Sequence, residues 1–184
     1  MALSMSEELD NFVSSYVENA NECGLAVPFD KDWPSSCYQS EASQGQLVQW
    51  RPVRQNVSLS FDNVAAALEL ELDEAYCNYF TRYFSNNLIA QAHEGKCELL
   101  QVWNEDDFER LQQNLIGHLL MKKRLSQQPT LFFGLTDEDD FILTVINSTG
   151  EVALEQVGQE PKEILAPSLA EFLSVLKPAP PQNS

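Results

Sequence analysis

The spacing of apolar residues near the N-terminus is that of one face of a helix. These residues are Leu9, Phe12, Val13, Tyr16, Val17 and Ala20. Apolar side chains three or four positions apart lie on the same side of a helix and can face a core together. We therefore predict a helix here, with Ser6 as its N-terminal cap and with Gly24 and Pro28 ending it.

Three further segments have the pattern of helices. Residues 61–84 predict a helix that breaks near residues 72–73. Residues 104–124 predict a long helix, because an asparagine can cap its start, acids fill its first turn and bases fill its last turn, as the helix dipole favours. Ser168 and Glu171 have the spacing of a capping box, which predicts a last helix after them.

Short apolar runs between these helices predict the strands of a sheet. Residues 46–52 alternate between apolar and polar, and two runs on either side of a polar turn predict a hairpin over residues 88–103. Three more runs follow, at residues 131–135, 141–146 and 151–156. Together the elements predict an α+β fold, a single domain over residues 1–177 with a largely antiparallel sheet and packed helices. The proline-rich residues 178–184 are predicted to form a loose tail.

The chain is strongly acidic. Its 28 Asp and Glu exceed its 11 Lys and Arg, and the formal net charge is −17 over 184 residues. Residues 55–81 contain five acids and residues 125–161 contain seven, and neither segment contains a Lys or an Arg. The resulting negative field repels nucleic-acid phosphates and anionic lipids, so it favours a basic protein surface as partner. Charge alone leaves open that the acidity serves only solubility.

Motifs for catalysis and for metal binding are missing from the sequence. It contains no glycine-rich phosphate loop, no G-x-S-x-G motif and no H-E-x-x-H motif. The four acids of residues 137–140 lack the alternate spacing of a calcium loop, so we predict a solvated turn, with a partner-contacting turn or a metal site as alternatives. His118 lies at the edge of an apolar helix stripe, where we expect a structural hydrogen bond. We expect no enzyme activity, no cofactor and no metal.

The cysteines and the N-terminus indicate a reduced compartment. Cys23, Cys37, Cys77 and Cys97 form no C-x-x-C pair, so we predict reduced thiols that pack as small apolar groups. The N-terminus lacks the basic and apolar regions of a signal peptide. Since no apolar run approaches the ~20 residues that span a bilayer, we expect membrane association only through another protein.

Trp103 stands directly before three acids at the predicted start of the long helix. An aromatic ring beside carboxylates suits the capture of a Lys or Arg, through a cation–π contact and an ion pair. The alternative is that Trp103 is the last core residue of its strand. The sequence leaves both interpretations open.

Three runs around this tryptophan are distinctive: LQVWNEDDF at residues 100–108, QNLIGHL at 113–119 and PTLF at 129–132. With these runs the sequence resembles the Syd family of SecY-interacting proteins from gammaproteobacteria. The likeness continues, more briefly, at residues 147–152, 169–173 and 176–178, and weakly at residues 34–37 and Trp50. The resemblance therefore covers nearly the whole chain.

The resemblance implies a non-enzymatic cytosolic protein that attaches to the inner membrane through SecY, the core of the protein-translocation channel. It implies a regulator or quality-control factor that prefers uncomplexed or abnormal SecY, and an SMI1/KNR4-like (SUKH) fold with an electronegative concave surface. Cytoplasmic loops of membrane proteins are rich in Lys and Arg, which suits such a surface. We predict that this surface is formed by Glu69, Glu71, Asp73, Glu74, Glu105, Asp106 and Asp107, with Trp103 as a candidate anchor.

Two other interpretations remain. A SUKH-type immunity protein would use the same acidic face to neutralise a basic toxin. An unrecognised enzyme would require a deep pocket with converging polar groups.

Overall fold

A seven-stranded antiparallel sheet forms the centre of the molecule. The computed structural model describes residues 3–21 and 24–182. In chain order the strands are β1 (Ala26–Pro28), β2 (Leu47–Gln49), β3 (Val53–Arg54), β4 (Tyr83–Phe84), β5 (Leu88–Ala92), β6 (Gly95–Leu99), β7 (Thr130–Thr136), β8 (Phe141–Ile146), β9 (Val152–Gln156), β10 (Pro161–Ala166) and β11 (Lys177–Pro178). The large sheet has the order β10-β9-β8-β7-β6-β5-β11, while β1 pairs with β2 and β3 with β4. The antiparallel α+β prediction is confirmed.

Five helices are described, and they pack on both faces of the large sheet. They are α1 (Met5–Asn19), α2 (Asp62–Leu68), α3 (Glu74–Phe80), α4 (Glu105–Arg124) and α5 (Leu169–Val175). Successive side chains of a strand point to opposite faces. Phe133 of β7 is fully buried and contacts Tyr79 of α3 and Phe172 of α5, each with ring centroids 5.8 Å apart. Its neighbour Phe132 instead contacts His118 of α4, at 5.5 Å.

The helix predictions are confirmed where local capping signals are strong. The Asn104 side chain accepts the Asp107 amide at 2.8 Å, and the Ser168 hydroxyl accepts the Glu171 amide at 3.1 Å. The predicted break in residues 61–84 separates α2 from α3, because Glu69 turns into the left-handed region with φ of 51°. No helix among the described residues is both long and apolar enough to cross a membrane.

The predicted cap of the first helix is wrong by two residues. Ser4, not Ser6, is the N-cap, and its hydroxyl accepts the Glu7 amide at 3.4 Å. The helix begins earlier because Met5 is buried and extends the apolar face by one turn before Leu9.

The C-terminal residues are more ordered than the prediction of a loose tail over residues 178–184. Lys177–Pro178 pairs with β5, the Ala179 amide donates to the Ile89 carbonyl at 2.9 Å, and Pro180 is buried. A proline is tolerated here because β11 is an edge strand and needs no further donor on its outer side. Residues 178–180 thus lie against the sheet, the looseness of the rest of the tail stays a prediction, and residues 183–184 lie outside the described residues.

The thiols behave as apolar groups where they are described. Cys37 and Cys97 are buried, Cys77 is partly buried, and all three are free. Burial is the main cause that raises the pKa of each of these thiols to about 11. Such thiols stay protonated at neutral pH and are poor nucleophiles. Cys23 lies outside the described residues.

A buried ion pair fixes α4 against the sheet. Lys122 of α4 is 1% exposed, and its ammonium donates to Glu155 Oε2 at 3.2 Å and to the Gln159 carbonyl at 2.8 Å. The fully buried Glu155 also accepts the hydroxyls of Thr130 at 3.0 Å and of Thr144 at 3.3 Å. Four hydrogen bonds thus satisfy two charges that would be costly to bury alone.

His118 belongs to the same cluster, and the expected structural hydrogen bond is present. Its Nε2 lies 3.0 Å from the Thr130 hydroxyl. Because that hydroxyl donates to Glu155, it accepts from His118, which assigns the Nε2–H tautomer to the neutral ring. Burial lowers the pKa of His118 to about 4, and the charge of Lys122 acts in the same direction.

The depressed pKa of His118 makes stability depend on pH. An unfolded histidine titrates near pH 6.5, so between that pH and about 4 the unfolded chain binds the extra proton. The contribution of His118 to the free energy of unfolding is complete above pH 6.5 and is lost as the pH falls toward about 4. We expect urea denaturation of wild type to show a slope of up to about 1.4 kcal/mol per pH unit from this group. His118→Asn should have a smaller slope between pH 4.5 and 7, and equal slopes would contradict the assignment.

Candidate protein-binding groove

A groove of about 570 Å³ lies over the part of the sheet that α4 leaves open. Its floor consists of Ile89, Glu98, Leu100 and Phe132, and its walls include Trp33, Asn86, Asn87, Asp107, Arg110, Leu111 and Asn114. One wall is therefore the first half of α4, and further lining residues come from the loops before β2 and β5. A concavity of this size accepts a few side chains of a partner.

The groove exists because α4 covers only one end of its sheet face. The helix is held above β7 and β9 through Thr130 and Glu155, toward its C-terminal end. At the other end of the same face, Ile89 of β5 lies directly opposite Glu98 of β6, which lies opposite Leu135 of β7. Leu135 is 40% exposed, so this row of the sheet faces solvent.

Trp103 contributes a buried ring to the groove wall. It is 5% exposed, its indole N–H donates to the Trp33 carbonyl at 3.2 Å, and its ring packs edge-on against Tyr38 and Trp50. The structure thus favours the core interpretation of Trp103 over that of an exposed anchor. Trp33 is the less buried ring of this wall.

Asp107 and Arg110 neutralise each other in the α4 wall. The Arg110 guanidinium donates to Asp107 Oδ1 at 2.6 Å and lies 5.5 Å from the centroid of the Trp33 ring. Asp107 Oδ2 accepts the Trp103 amide at 2.8 Å, so this carboxylate also ties the first turn of α4 to the segment just before it. Asp107 is therefore a structural residue as well as a wall residue.

Glu98 is the remaining charged side chain of the groove. Within the described part of the chain its carboxylate forms neither a hydrogen bond nor an ion pair. Its charge contributes to the raised pKa of the nearby Tyr16, after the larger effect of burial. Glu98 is not among the predicted site residues, although it stands between Cys97 and Leu99, which are buried on the other face of the sheet.

The other predicted acids lie outside the groove. Glu69, Glu71, Glu74, Glu105 and Asp106 are exposed, and Asp73 caps α3 by accepting the Tyr76 amide at 3.0 Å. The Glu71 carbonyl accepts a hydrogen bond from the side-chain amide of Asn147. The backbone amide of Asn147 donates to the Pro129 carbonyl, just beyond the C-terminal end of α4. Glu105 and Asp106 stand at the other end of this helix, which is about 30 Å long. Glu71 therefore lies near one end of α4, and Glu105 and Asp106 lie at the opposite end.

The four acids of residues 137–140 form an exposed turn between β7 and β8. The Thr136 hydroxyl closes it by donating to the carbonyls of Glu138 and Phe141 at 3.0 and 2.9 Å. The exposure agrees with the predicted solvated turn, and a partner-contacting turn stays a prediction. No group of three or more His, Cys, Asp and Glu that could hold a metal occurs in residues 3–21 and 24–182.

Comparison with known proteins gives a family match over most of the sequence. The family model of the Syd protein (SUKH-2) matches residues 6–178. The chain belongs to the Syd family. Protein Syd of Alteromonas mediterranea is 66% identical over 178 residues, which cover 97% of this chain and 98% of that protein. Protein Syd of Pseudoalteromonas atlantica is 45% identical with the same coverage, and that of Shewanella baltica is 48% identical over 94% of this chain and 81% of its own.

Membership of the Syd family confirms the resemblance inferred from residues 100–132. The same segment supplies β7, the α4 wall of the groove and the Asn104 cap. The residues that carried the resemblance are therefore also residues that shape the groove.

Proposed function

We propose that this Syd-family protein binds SecY through the groove and the acidic surface around it, as a non-enzymatic regulator or quality-control factor of protein translocation. Family membership over residues 6–178 carries the proposal. The protein would act at the cytoplasmic side of the inner membrane, attached through SecY and without a cofactor or nucleic acid. It would prefer uncomplexed or abnormal SecY.

The charge of the chain supports this proposal physically. Cytoplasmic loops rich in Lys and Arg are attracted by a net charge of −17, whereas anionic lipid is repelled. Attachment to the membrane would therefore depend on SecY itself. Exposed acids such as Glu69, Glu74 and Glu105 would mainly raise the association rate, and groove contacts would set the lifetime of the complex.

The alternative of an immunity protein shares the charge argument. No feature of the described residues favours a toxin over SecY. As for the interpretation as an enzyme, the described groove residues include no Cys or His. Pull-down from solubilised inner membranes, with this protein as bait, distinguishes the two. Recovery of SecY without its partner subunits would support the proposed preference.

Charge reversal at the start of α4 should weaken this capture. We expect Glu105→Lys combined with Asp106→Lys to reduce SecY recovery about tenfold at 50 mM salt and to have little effect at 500 mM, because exposed charges are screened. Asp107 is left unchanged because it holds Trp103 and Arg110. Each reversal also costs about 0.3–1 kcal/mol at the helix terminus, so the melting temperature is measured alongside.

The matched control reverses two acids of the exposed turn between β7 and β8. Asp139→Lys combined with Asp140→Lys changes the net charge by the same amount on a different part of the surface. Equal losses in both double variants would mean that only the total charge matters. That result would contradict a docking surface at α4.

A further inference from the structure

We propose that the groove selects an extended partner segment with a single Lys or Arg between apolar residues, and that the Glu98 carboxylate binds this cation. The inference rests on the proposed function and names the chemistry of the segment that the groove accepts. Its basis is the distribution of charge inside the groove, which differs from that of the whole surface.

The groove contains one uncompensated charge although the chain has a net charge of −17. Asp107 is paired with Arg110 at 2.6 Å, and these two cancel. Among the described lining residues only Glu98 remains, with no partner for its carboxylate. The floor therefore offers one site for a cation, not a row of them.

Apolar side chains flank Glu98 across the sheet, while Lys96, two positions earlier on β6, is exposed and lies outside the groove lining. Ile89 and Leu135 lie directly across from it on the two neighbouring strands, and Leu100 follows on the same face. A carboxylate on such a floor attracts a cation more strongly than one in bulk water, because the effective dielectric constant is lower. Apolar side chains next to the cation would cover Ile89 and Leu100, which are otherwise in contact with solvent.

Arg110 occupies the other carboxylate of the groove. Its guanidinium is held in the wall by Asp107 and by the face of the Trp33 ring. Because Asp107 is already paired, a clustered basic segment finds no second free carboxylate among the described lining residues. The groove thus offers a single free carboxylate, that of Glu98.

The test uses defined peptides and three forms of the full chain. The peptides are ten residues of Ala, Ser and Leu with a central Arg, the same peptide with a central Met, and one with four Arg. The proteins are wild type, Glu98→Gln and the control Glu163→Gln, which removes an exposed charge on the edge strand β10. Affinities are measured by fluorescence anisotropy at 150 and 300 mM salt.

We expect wild type and Glu163→Gln to bind the one-Arg peptide about tenfold tighter than the Met peptide, and Glu98→Gln to bind both alike. At 300 mM salt the four-Arg peptide should bind no tighter than the one-Arg peptide. A preserved tenfold preference in Glu98→Gln, or a much tighter four-Arg complex at 300 mM, overturns the inference. As a measurement on unaltered protein, the carboxyl ¹³C resonance of Glu98 should shift on addition of the one-Arg peptide and stay in place with the Met peptide.

Capture of SecY separates this inference from the function on which it rests. If wild type and Glu98→Gln recover SecY equally from solubilised membranes, the role of Glu98 is wrong while the proposed function stands. If wild type recovers no SecY but binds the one-Arg peptide through Glu98, the proposed function is wrong while the selectivity of the groove stands.

Discussion

Replacement of Lys122 by methionine is expected to lower the free energy of unfolding by about 3–5 kcal/mol. The change removes the ammonium that donates to Glu155 and to the Gln159 carbonyl, and it leaves a fully buried carboxylate with only two threonine hydroxyls. An unpaired buried charge costs more than the ion pair contributes, which is why the expected effect is so large. Urea denaturation at pH 7 measures it.

The neighbouring Lys123 supplies the matched control for this prediction. Lys123 is exposed on the same helix turn, so Lys123→Met changes the charge equally and should stay within about 0.5 kcal/mol of wild type. Lys122→Met combined with Glu155→Met should recover most of the loss, since apolar residues of similar volume often replace a buried pair without penalty. Equal effects of the two single Lys variants would contradict a buried ion pair.

Elements with strong local signals could be predicted from the sequence. The long helix α4 is an example, because Asn104, the acids of the first turn and the bases of the last turn all act within four residues of a helix end. The start of α3 likewise has a local signal, because the Asp73 side chain accepts the Tyr76 amide three positions later. Such capping signals need no knowledge of what packs on the helix.

The groove could not be predicted in the same way, because it depends on distant packing. Because side chains alternate along β6, Glu98 lies on the face of the sheet away from the buried Cys97 and Leu99. The alternation does not indicate which half of the Glu98 face α4 will cover. The position of α4 is set by Lys122, which donates to Glu155, 33 positions later in the chain. The burial of Trp103 similarly depends on a loop 70 residues earlier, through the Trp33 carbonyl.

Weak or atypical patterns explain the remaining misses. The edge strand β10 was not predicted because it begins with Pro161 and continues with exposed polar residues. Tyr83–Phe84 was assigned to a helix, yet it pairs with Val53–Arg54. In both cases the pairing partner, not the segment itself, determines the structure.

Alanine substitutions at the adjacent residues Phe132 and Phe133 distinguish an effect on stability from an effect on binding. Phe133→Ala is expected to cost about 3–5 kcal/mol, because the side chain is fully buried between Tyr79 and Phe172. For a chain of this size that corresponds to a fall in melting temperature of roughly 6–20 °C. Phe132→Ala should cost less than half as much, since this ring is partly exposed on the groove floor beside His118.

Binding is expected to follow the opposite order. At a temperature where both variants are folded, Phe132→Ala should reduce SecY capture and one-Arg peptide binding several-fold, because it removes part of the apolar floor beside Glu98. Phe133→Ala should bind as wild type does, since its side chain is on the other face of the sheet. The two substitutions delete the same atoms at adjacent positions, so a loss of binding that tracks the loss of stability would mean that the groove floor is not the docking surface. A loss confined to Phe132→Ala would instead assign the docking surface to the face that α4 leaves open.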